Sequence, residues 1–407
     1  MMNIPFSPPD ITELEIEEVA NALRSGWITT GPRTKELERQ VAAYCGTERA
    51  VCLNSQTACA EMALHVLGIG PGDEVLVPSY SFIASSYAIV QAGAIPVFCD
   101  VTEDHTIDPD DIERKITDKT KGIVCVHLYG VVCDMARIMD IAKKHNLYVV
   151  EDCAQCIGGK YNGKMVGTIG DAGCYSFCQS KHFTTGGEGG MVLTMNEDLG
   201  WECRSFRDHG YDVKTRMNML ALEEALPYIH TRIGFNYRMT EIQSQFGINE
   251  LARFDDWNMA RRYEYAKMYD EQLGGLKGVA KLPLNTEERQ NAYWWYPVTL
   301  DLDALDITAP EFVKEMKANK IPCYGIQWPE AYEERSYKDM NGFGDAKFPF
   351  NSKEYNTNNV SYDNVVCPVA KSLRARTVNL FLHPTWEKEH IQRVIDTFVA
   401  IHNAHLK

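Results

Sequence analysis

Residues 122–153, GIVCVHLYGVVCDMARIMDIAKKHNLYVVEDC, contain two apolar runs separated by a segment with a different hydrophobic pattern. GIVCVHLY and YVVEDC are short and nearly continuous, which is typical of strands buried on both faces of a sheet. DMARIMDIAKKHN, between them, has the pattern of a helix. The stretch therefore predicts a strand–helix–strand unit in a parallel sheet whose two faces are covered by helices.

The same alternation extends from about residue 34 to 195. Beyond about residue 280 the pattern changes to a strand-like NAYWWYPVTL, a helical APEFVKEMKANK, a long polar segment FPFNSKEYNTNNVSYDNVVCP and a final amphipathic helix. We therefore predict a large, mostly parallel-sheet α/β/α domain over residues 1–255, with an N-terminal arm of about 12 residues, and a smaller C-terminal α+β domain over residues 256–407. A polar stretch near 211–231 is expected to be a loop or an interface segment.

The charge and composition exclude several classes of protein. A net charge of −15 over 407 residues argues against nucleic-acid or anionic-membrane partners, because no global positive field attracts them. The N-terminal MMNIPFSPPDIT lacks the pattern of a signal peptide, and no apolar run approaches the length of about 20 residues that spans a bilayer. Without a secretion signal, thirteen cysteines are interpreted as buried free thiols. We therefore expect a soluble, cytoplasmic protein.

The motif NSQTACA, residues 54–60, directly follows a predicted strand and begins a predicted helix. Backbone N–H groups at the start of a helix, with the Ser55 and Thr57 hydroxyls beside them, form an anion site. The alternative interpretation is an ordinary capped helix.

Asp152 ends the apolar strand in VVEDCAQ. A carboxylate at a buried strand end needs a partner, which could be a protonated heterocycle, an arginine or a metal ion. A helix-capping or salt-bridged aspartate is the structural alternative.

The segment QSKHFTTGGEGG, residues 179–190, places Lys181 on a glycine-rich loop between two predicted strands. The spacing of a phosphate-binding P-loop is absent, because the glycines follow the lysine. A lysine on such a loop, after a strand that offers Ser176, suits an amine that reaches a carbonyl carbon and forms a Schiff base. Pyridoxal phosphate (PLP) is the commonest partner in that chemistry. The alternative is a solvated loop lysine.

Two further features complete the set of candidates. In PSYSFIAS, residues 78–85, the ring of Phe82 or Tyr80 could stack on a planar cofactor or belong to the core. The pairs Cys153/Cys156 and Cys174/Cys178 resemble zinc ligands only superficially, because one pair straddles a strand end and the other lies in a predicted strand. We therefore expect no metal site.

Taken in order, several motifs resemble the DegT/DnrJ/EryC1/StrS aminotransferases, which are fold-type I, PLP-dependent enzymes that aminate keto-sugars or cyclitols. The motifs are GWITTGP, NSQTACAEMALHVLGIGPGDEVLVPSYSFIAS, AGAIPVFCDV, EDCAQCIGGKYNGKMVGTIGDAGCYSF, KHFTTGGEGGMV and GFNYRMTEIQSQFG. The resemblance covers residues 10–255 strongly and the remainder more loosely.

The resemblance implies a role for each matching residue. Lys181 would form the Schiff base with PLP and move protons, and Asp152 would pair with the pyridinium nitrogen. The phosphate would be held by the backbone at Gln56 and Thr57 and by the hydroxyl of Ser176. The remaining implied contacts are Gln155 to the ring hydroxyl, Phe82 to the ring face, and Asn236 to the phosphate of the partner subunit.

The implied activity is amination of a keto-sugar, nucleotide-linked, with glutamate or glutamine as donor, by a homodimer with shared active sites. A cyclitol ketone is the alternative acceptor, and a non-catalytic PLP-binding sensor is an alternative from another class. The 3-dehydrating branch of the family has histidine in place of the lysine, whereas here His182 only follows Lys181. TTGGEGG contains one glycine more than the usual TTGEGG, and the C-terminal half departs most from the family pattern.

Overall fold

The computed structural model describes residues 4–215, 230–326, 328–357 and 360–407. Most of the predicted loop or interface segment near 211–231 lies outside the described residues. The described strands are β1 (Arg49–Leu53), β2 (Glu74–Pro78), β3 (Ile95–Cys99), β4 (Thr120–Val126), β5 (Tyr148–Asp152), β6 (Lys160–Tyr161), β7 (Lys164–Met165), β8 (Ala172–Ser176), β9 (Gly190–Thr194), β10 (Val279–Lys281), β11 (Arg289–Gln290), β12 (Trp295–Leu300), β13 (Cys323–Tyr324) and β14 (Thr377–Phe381).

The helices of the same residues surround the sheets. In chain order they are α1 (Glu13–Arg24), α2 (Pro32–Cys45), α3 (Gln56–Val66), α4 (Ala84–Gln91), α5 (Pro109–Lys115), α6 (Met135–His145), α7 (Glu197–Arg207), α8 (Glu241–Ala252), α9 (Ala260–Leu273), α10 (Ala309–Ala318), α11 (Arg335–Lys338), α12 (Lys353–Thr357), α13 (Pro368–Arg376) and α14 (Lys388–Ala404). A π-helical turn, Phe254–Met259, joins α8 to α9, so the predicted long or stacked helical region is nearly continuous.

The central sheet has seven strands in the order β1-β9-β8-β5-β4-β2-β3. Strands β3, β2, β4, β5 and β8 pair in parallel, whereas β9 is antiparallel to both of its neighbours. The prediction of a mostly parallel sheet is therefore confirmed. The burial of β1, β2, β5, β8 and β9 along nearly their whole length explains why these strands are almost entirely apolar in sequence.

The direction of the strands brings separate loops together. Since β1, β2, β4, β5 and β8 run the same way, the segments that follow them leave the sheet at one edge, and β9 begins there. This edge is where ligands of open α/β sheets bind. The motifs at residues 54–60, 78–85, 149–155 and 176–190 consequently meet.

A second sheet of four strands, β10-β12-β14-β13, is antiparallel throughout. It shares one cluster of buried side chains with the seven-stranded sheet, since Val77 and Val126 belong to the same cluster as Tyr296 and Val298. The domain division at residue 255 stays a prediction.

Local signals explain where helices begin and end. Thr12 and Glu15 form a reciprocal capping box at the start of α1, a helix that the sequence patterns above did not single out. Helix α2 ends at Gly46, as expected, with a left-handed φ of 69°.

The interpretation of residues 348–368 as a long polar loop is wrong in part. The segment contains α12 and buries Phe350, Tyr355 and Tyr362. Tyr362 packs edge-on against Phe98 of β3 with the ring centroids 5.4 Å apart. Irregularly spaced aromatic residues hold the segment on the larger sheet, and this spacing gives no helical or strand period in the sequence.

The residues from 4 to 12 form an arm that lies on the second half of the chain. Ile4 is buried, the Trp386 indole donates a hydrogen bond to the Pro5 carbonyl (3.0 Å), and Arg253 binds the Asp10 carboxylate (2.7 Å). These contacts fix residues 4–12 against the chain, and the division into an arm and two domains stays a prediction. Among the described residues, no helix combines the length and apolar character needed to cross a membrane.

Candidate active site

A cavity of about 550 Å³ lies at the edge where the parallel strands end. Its walls include seven of the eight residues singled out from the sequence: Gln56, Thr57, Phe82, Asp152, Gln155, Ser176 and Lys181. Seven residues from four separate segments therefore converge on one space.

The first turn of α3 forms one end of this cavity. Ser55 is the N-cap residue, and its hydroxyl accepts a hydrogen bond from the Ala58 N–H (3.2 Å). The N–H groups of Gln56 and Thr57 have no acceptor within their own helix, because they belong to its first turn. The Gln56 side-chain nitrogen is also buried without a hydrogen-bond partner in the described chain. This end of the cavity is suited to an anion such as a phosphate.

Asp152 lies at the base of the cavity and is almost fully buried. Its carboxylate accepts hydrogen bonds from the Ser85 hydroxyl (2.7 Å) and the Ala154 N–H (3.0 Å). Burial raises the pKa of the carboxyl group, while these two donors and the charge of Lys181 lower it. Within the described residues no ion pair involves Asp152, so a cation is the partner that its burial calls for.

Lys181 extends into the cavity from the loop between β8 and β9. Desolvation of its amine lowers the pKa of Lys181 to about 8, although the charges of Cys178, Asp152 and Glu188 act to raise it. An amine with such a pKa is partly neutral near physiological pH and can act as a nucleophile or a base.

The glycines after Lys181 turn the backbone. Gly186 and Gly187 have φ values of 76° and 119°, and side-chain-bearing residues rarely adopt the second. The Gly187 N–H donates to the Thr184 hydroxyl (2.9 Å), and its carbonyl accepts from the Gln179 N–H (2.9 Å). Gly186 and Gly187 of TTGGEGG are therefore two successive residues with positive φ, and the loop closes back on itself there.

Gln155 and Ser176 line the same space. The Gln155 side-chain oxygen accepts the Tyr129 N–H (2.6 Å), so its amide nitrogen remains as the group with which Gln155 can donate. Ser176 ends β8, and its hydroxyl accepts a long hydrogen bond from the Cys178 N–H (3.4 Å), which leaves its own proton available to a ligand.

The structure distinguishes between the two aromatic candidates of PSYSFIAS. Tyr80 is buried, and its hydroxyl bonds to that of Tyr129, so it belongs to the core. Phe82 is 58% exposed, lines the cavity and meets Trp328 edge-on with the centroids 6.2 Å apart. Phe82 is therefore the ring available to a planar ligand.

Asn236 is not among the described residues that line this cavity. It is exposed and forms a short antiparallel bridge with Asp208, beside the bond from the Tyr237 N–H to the Arg207 carbonyl (3.0 Å). Its role toward a partner subunit stays a prediction.

Sequence reasoning missed the aromatic side of the cavity. These residues are Phe6 of the arm and Trp294, Trp295, Tyr324 and Trp328 of the second half of the chain. The adjacent tryptophans in NAYWWYPVTL were the available signal, but within a strand-like sequence they predict core packing equally well. Ser85, whose hydroxyl donates to Asp152, belongs to PSYSFIAS, but the sequence alone did not predict a role for it.

The cysteines are free thiols, and Cys178 alone among the thirteen is not buried. Among the described residues, two buried groups have atoms close enough to hold a metal ion, Cys125/His127/Cys133 and His127/Glu151/Cys153. Both nitrogens of His127 are engaged, one by the Cys133 N–H (3.0 Å) and the other by Glu151 (3.2 Å). The geometry therefore favours a hydrogen-bonded core histidine at this position.

Comparison with known proteins identifies this arrangement. The family model described as "DegT/DnrJ/EryC1/StrS aminotransferase family" matches residues 9–349. The chain belongs to this family. It is a PLP-dependent aminotransferase of fold-type I, as the sequence motifs implied.

Relatives and solved structures of the family extend over most of the chain. A GDP-perosamine synthase of Escherichia coli O157:H7 is 40% identical over 72% of this chain and 77% of its own length. A UDP-N-acetyl-3-dehydro-alpha-D-glucosamine 3-aminotransferase of Acidithiobacillus ferrooxidans is 34% identical over 89% of this chain and 87% of its own. A Streptococcus pneumoniae protein described as a sugar aminotransferase, solved in its PMP form, is 32% identical, with a TM-score of 0.82 over 99% of this chain and all of that one.

The residues of the cavity fit PLP. Among the described residues, no ion pair involves the buried Asp152 carboxylate and the Gln56 amide nitrogen has no hydrogen-bond partner. The first turn of α3 offers N–H groups, and the Phe82 ring faces the open space. A planar, cationic, phosphorylated ring would satisfy all four together. The Lys181 amine lies on the same cavity, as an aldehyde-bearing cofactor requires.

Asp152→Asn is expected to weaken PLP binding about 10- to 100-fold, since a hydrogen bond to a charged group contributes about 1.5–3 kcal/mol. The substitution keeps the size of the side chain and an oxygen for the Ser85 hydroxyl. Titration of the apoprotein with PLP, followed by absorbance, measures the effect. Asp198→Asn, at an exposed site on α7, is the matched control. Equal PLP affinity of Asp152→Asn and wild type would show that the carboxylate does not bind the ring nitrogen.

Proposed function

We propose that this aminotransferase transfers an amino group from glutamate or glutamine to a nucleotide-linked keto-sugar, in the biosynthesis of an amino sugar. The observation that carries the proposal is the shared cavity of Lys181 and Asp152, beside the free first turn of α3. We further propose that the protein acts in the cytoplasm, where nucleotide-linked sugars are made and used.

Each residue of the cavity has a proposed part in holding the cofactor. The N–H groups of Gln56 and Thr57 and the hydroxyl of Ser176 bind the phosphate. The Gln155 amide nitrogen donates to the ring hydroxyl, since its oxygen is held by Tyr129. Phe82 covers one face of the ring, and stacking of this kind adds about 0.5–1.5 kcal/mol beyond burial.

The chemistry depends on two charged groups of the chain. Bound PLP supplies an electron sink for the negative charge that develops when a carbon next to nitrogen loses a proton. Asp152 holds a proton at the ring nitrogen by its negative charge, which the buried site strengthens. The Lys181 amine accepts and returns the proton at the substrate carbon, and its pKa of about 8 leaves it able to do both.

The relatives support a nucleotide-linked acceptor. The names of the Escherichia coli and Acidithiobacillus ferrooxidans relatives contain a GDP sugar and a UDP sugar, respectively. The aromatic side of the cavity, with Trp295, Tyr324 and Trp328, offers apolar faces on which the C–H face of a sugar ring can pack.

We also propose a homodimer in which Asn236 of each chain binds the phosphate held by the other. Apolar side chains near Asn236 are exposed in the single chain, among them Ile233 at 89% and Phe235 at 38%. Exposed apolar groups of this kind are typical of surfaces that a second subunit covers.

A substrate panel tests the proposed activity. We expect the PLP-loaded enzyme to aminate nucleotide-linked keto-hexoses with glutamate or glutamine as donor. The same keto-sugars without the nucleotide, and inososes, are expected to be aminated much less. Mass spectrometry of the products measures the amination. Preferential amination of an inosose would show that the acceptor is a cyclitol ketone and not a nucleotide-linked keto-sugar. If no ketone is aminated and neither donor converts PLP, the proposed enzyme activity is refuted.

Mixed dimers test the shared sites. Lys181→Ala and Asn236→Ala chains with different tags are co-expressed, and the heterodimer is isolated through both tags. If sites are shared, one of its two sites combines an intact Lys181 with an intact Asn236, and about half of the wild-type activity per dimer returns. If sites are not shared, the heterodimer is no more active than Asn236→Ala. A heterodimer of Lys181→Ala with Asp198→Asn is the control.

A further inference from the structure

Trp294 has no part in the roles assigned so far, yet it lies directly against Lys181. The Lys181 amine is 4.0 Å from the centroid of the Trp294 ring. An ammonium group within about 6 Å of an indole centroid is attracted by the negative face of the ring, most strongly where water is excluded. The side chain that faces the amine is therefore an aromatic surface.

Three contacts fix the position of the Trp294 ring. The indole N–H donates to the Ser180 carbonyl (2.6 Å), the backbone N–H donates to the Tyr129 carbonyl (2.9 Å), and the ring stacks on Trp295 with the centroids 4.3 Å apart. The backbone approach requires Gly130, because a Cβ there would lie 2.7 Å from the Trp294 nitrogen. The indole is therefore bonded to the loop that carries Lys181, and the Trp294 backbone is bonded to the turn that follows β4.

The residue after Lys181 is held by the same segment. The His182 imidazole donates to the Ala292 carbonyl (2.9 Å), and the Asn258 amide donates to the His182 carbonyl. Burial holds the pKa of His182 well below its usual range, so the ring is neutral and its hydrogen-bonding nitrogen carries the proton. Residues 180 and 182 are thus both fixed by residues 292–294, one on each side of Lys181.

We propose that Trp294 is a positioning residue for Lys181. The face of its indole holds the amine in the cavity whenever the amine is not covalently occupied, and it stabilises the protonated form that burial opposes. The hydrogen bond from its indole N–H to the Ser180 carbonyl keeps the Lys181 amine opposite the face of the ring.

The charged and titratable groups around the amine fix the direction of the expected effect. Cys178 and Glu188 lie on the loop, Asp152 lies at the end of β5, and His182 is the next residue. Substitution of Trp294 changes none of these four residues. Loss of the ring face then removes one stabilising contact of the ammonium form, and the pKa of Lys181 falls.

The test uses the apoprotein, so it is independent of acceptor and donor. Acetylation of Lys181 by acetic anhydride is measured against pH by peptide mass spectrometry, because only the neutral amine reacts. We expect wild type to titrate near pH 8 and Trp294→Leu about one unit lower. Trp294→Phe keeps an aromatic face without the N–H, and we expect an intermediate value.

The matched control is Trp201→Leu, which removes another tryptophan that faces a cation, Arg49 at 5.3 Å from the ring. Its Lys181 titration is expected to equal that of wild type. An unchanged or raised pKa of Lys181 in Trp294→Leu overturns the proposal, because it means that the ring acts only by excluding water or not at all. If circular dichroism shows that Trp294→Leu is unfolded, the pKa of Lys181 is measured in Trp294→Phe instead. A pKa equal to that of wild type in this variant also overturns the proposal.

Discussion

The site depends on Asp152, a buried carboxylate that forms no ion pair among the described residues. Two carboxylates follow each other at the end of β5, and both are buried. Glu151 is satisfied by the chain: it accepts the N–H groups of Gly167 (2.8 Å), Ile169 (2.8 Å) and Gly170 (2.7 Å) and bonds to His127. Burial opposes its ionisation, but these donors hold the pKa of Glu151 below its usual value.

Asp152 has fewer partners than Glu151 among the residues that the structure describes. It accepts two hydrogen bonds from neutral donors, and burial raises its pKa. Because neighbouring residues of a strand point to opposite faces, one carboxylate supports the fold while the other faces the cavity. The fold thus contains a negative charge that a bound cationic ring completes, and the N–H groups of α3 and the Lys181 amine lie around the same space.

The sequence predicted most of this arrangement because the relevant signals are local. Apolar strands that end in polar residues placed Asp152, Ser176 and the start of α3 at one edge, and this holds for any open parallel sheet. The glycines after Lys181 indicated a special loop, although their left-handed conformations became visible only in the structure. Asn236 could be interpreted only through the resemblance, because its proposed partner lies on another chain.

The aromatic side of the cavity could not be predicted, for a physical reason. Trp294, Tyr324, Trp328 and Phe6 are brought to the cavity by long-range packing of the second sheet and of the arm, and no periodic pattern in their own segments marks them. An aromatic side chain in a strand-like or irregular segment packs equally well in a core. The contact between Lys181 and Trp294 is of this kind, since the two residues lie 113 positions apart along the chain.

Borohydride reduction tests the central claim, that the chain holds PLP through Lys181 in this cavity, most directly. The PLP-loaded protein is reduced, digested and mapped by mass spectrometry for the phosphopyridoxyl mass. The account predicts the added mass on the peptide that contains Lys181, at one group per chain. Attachment to another lysine, or the absence of any attached group after reconstitution with PLP, would contradict it.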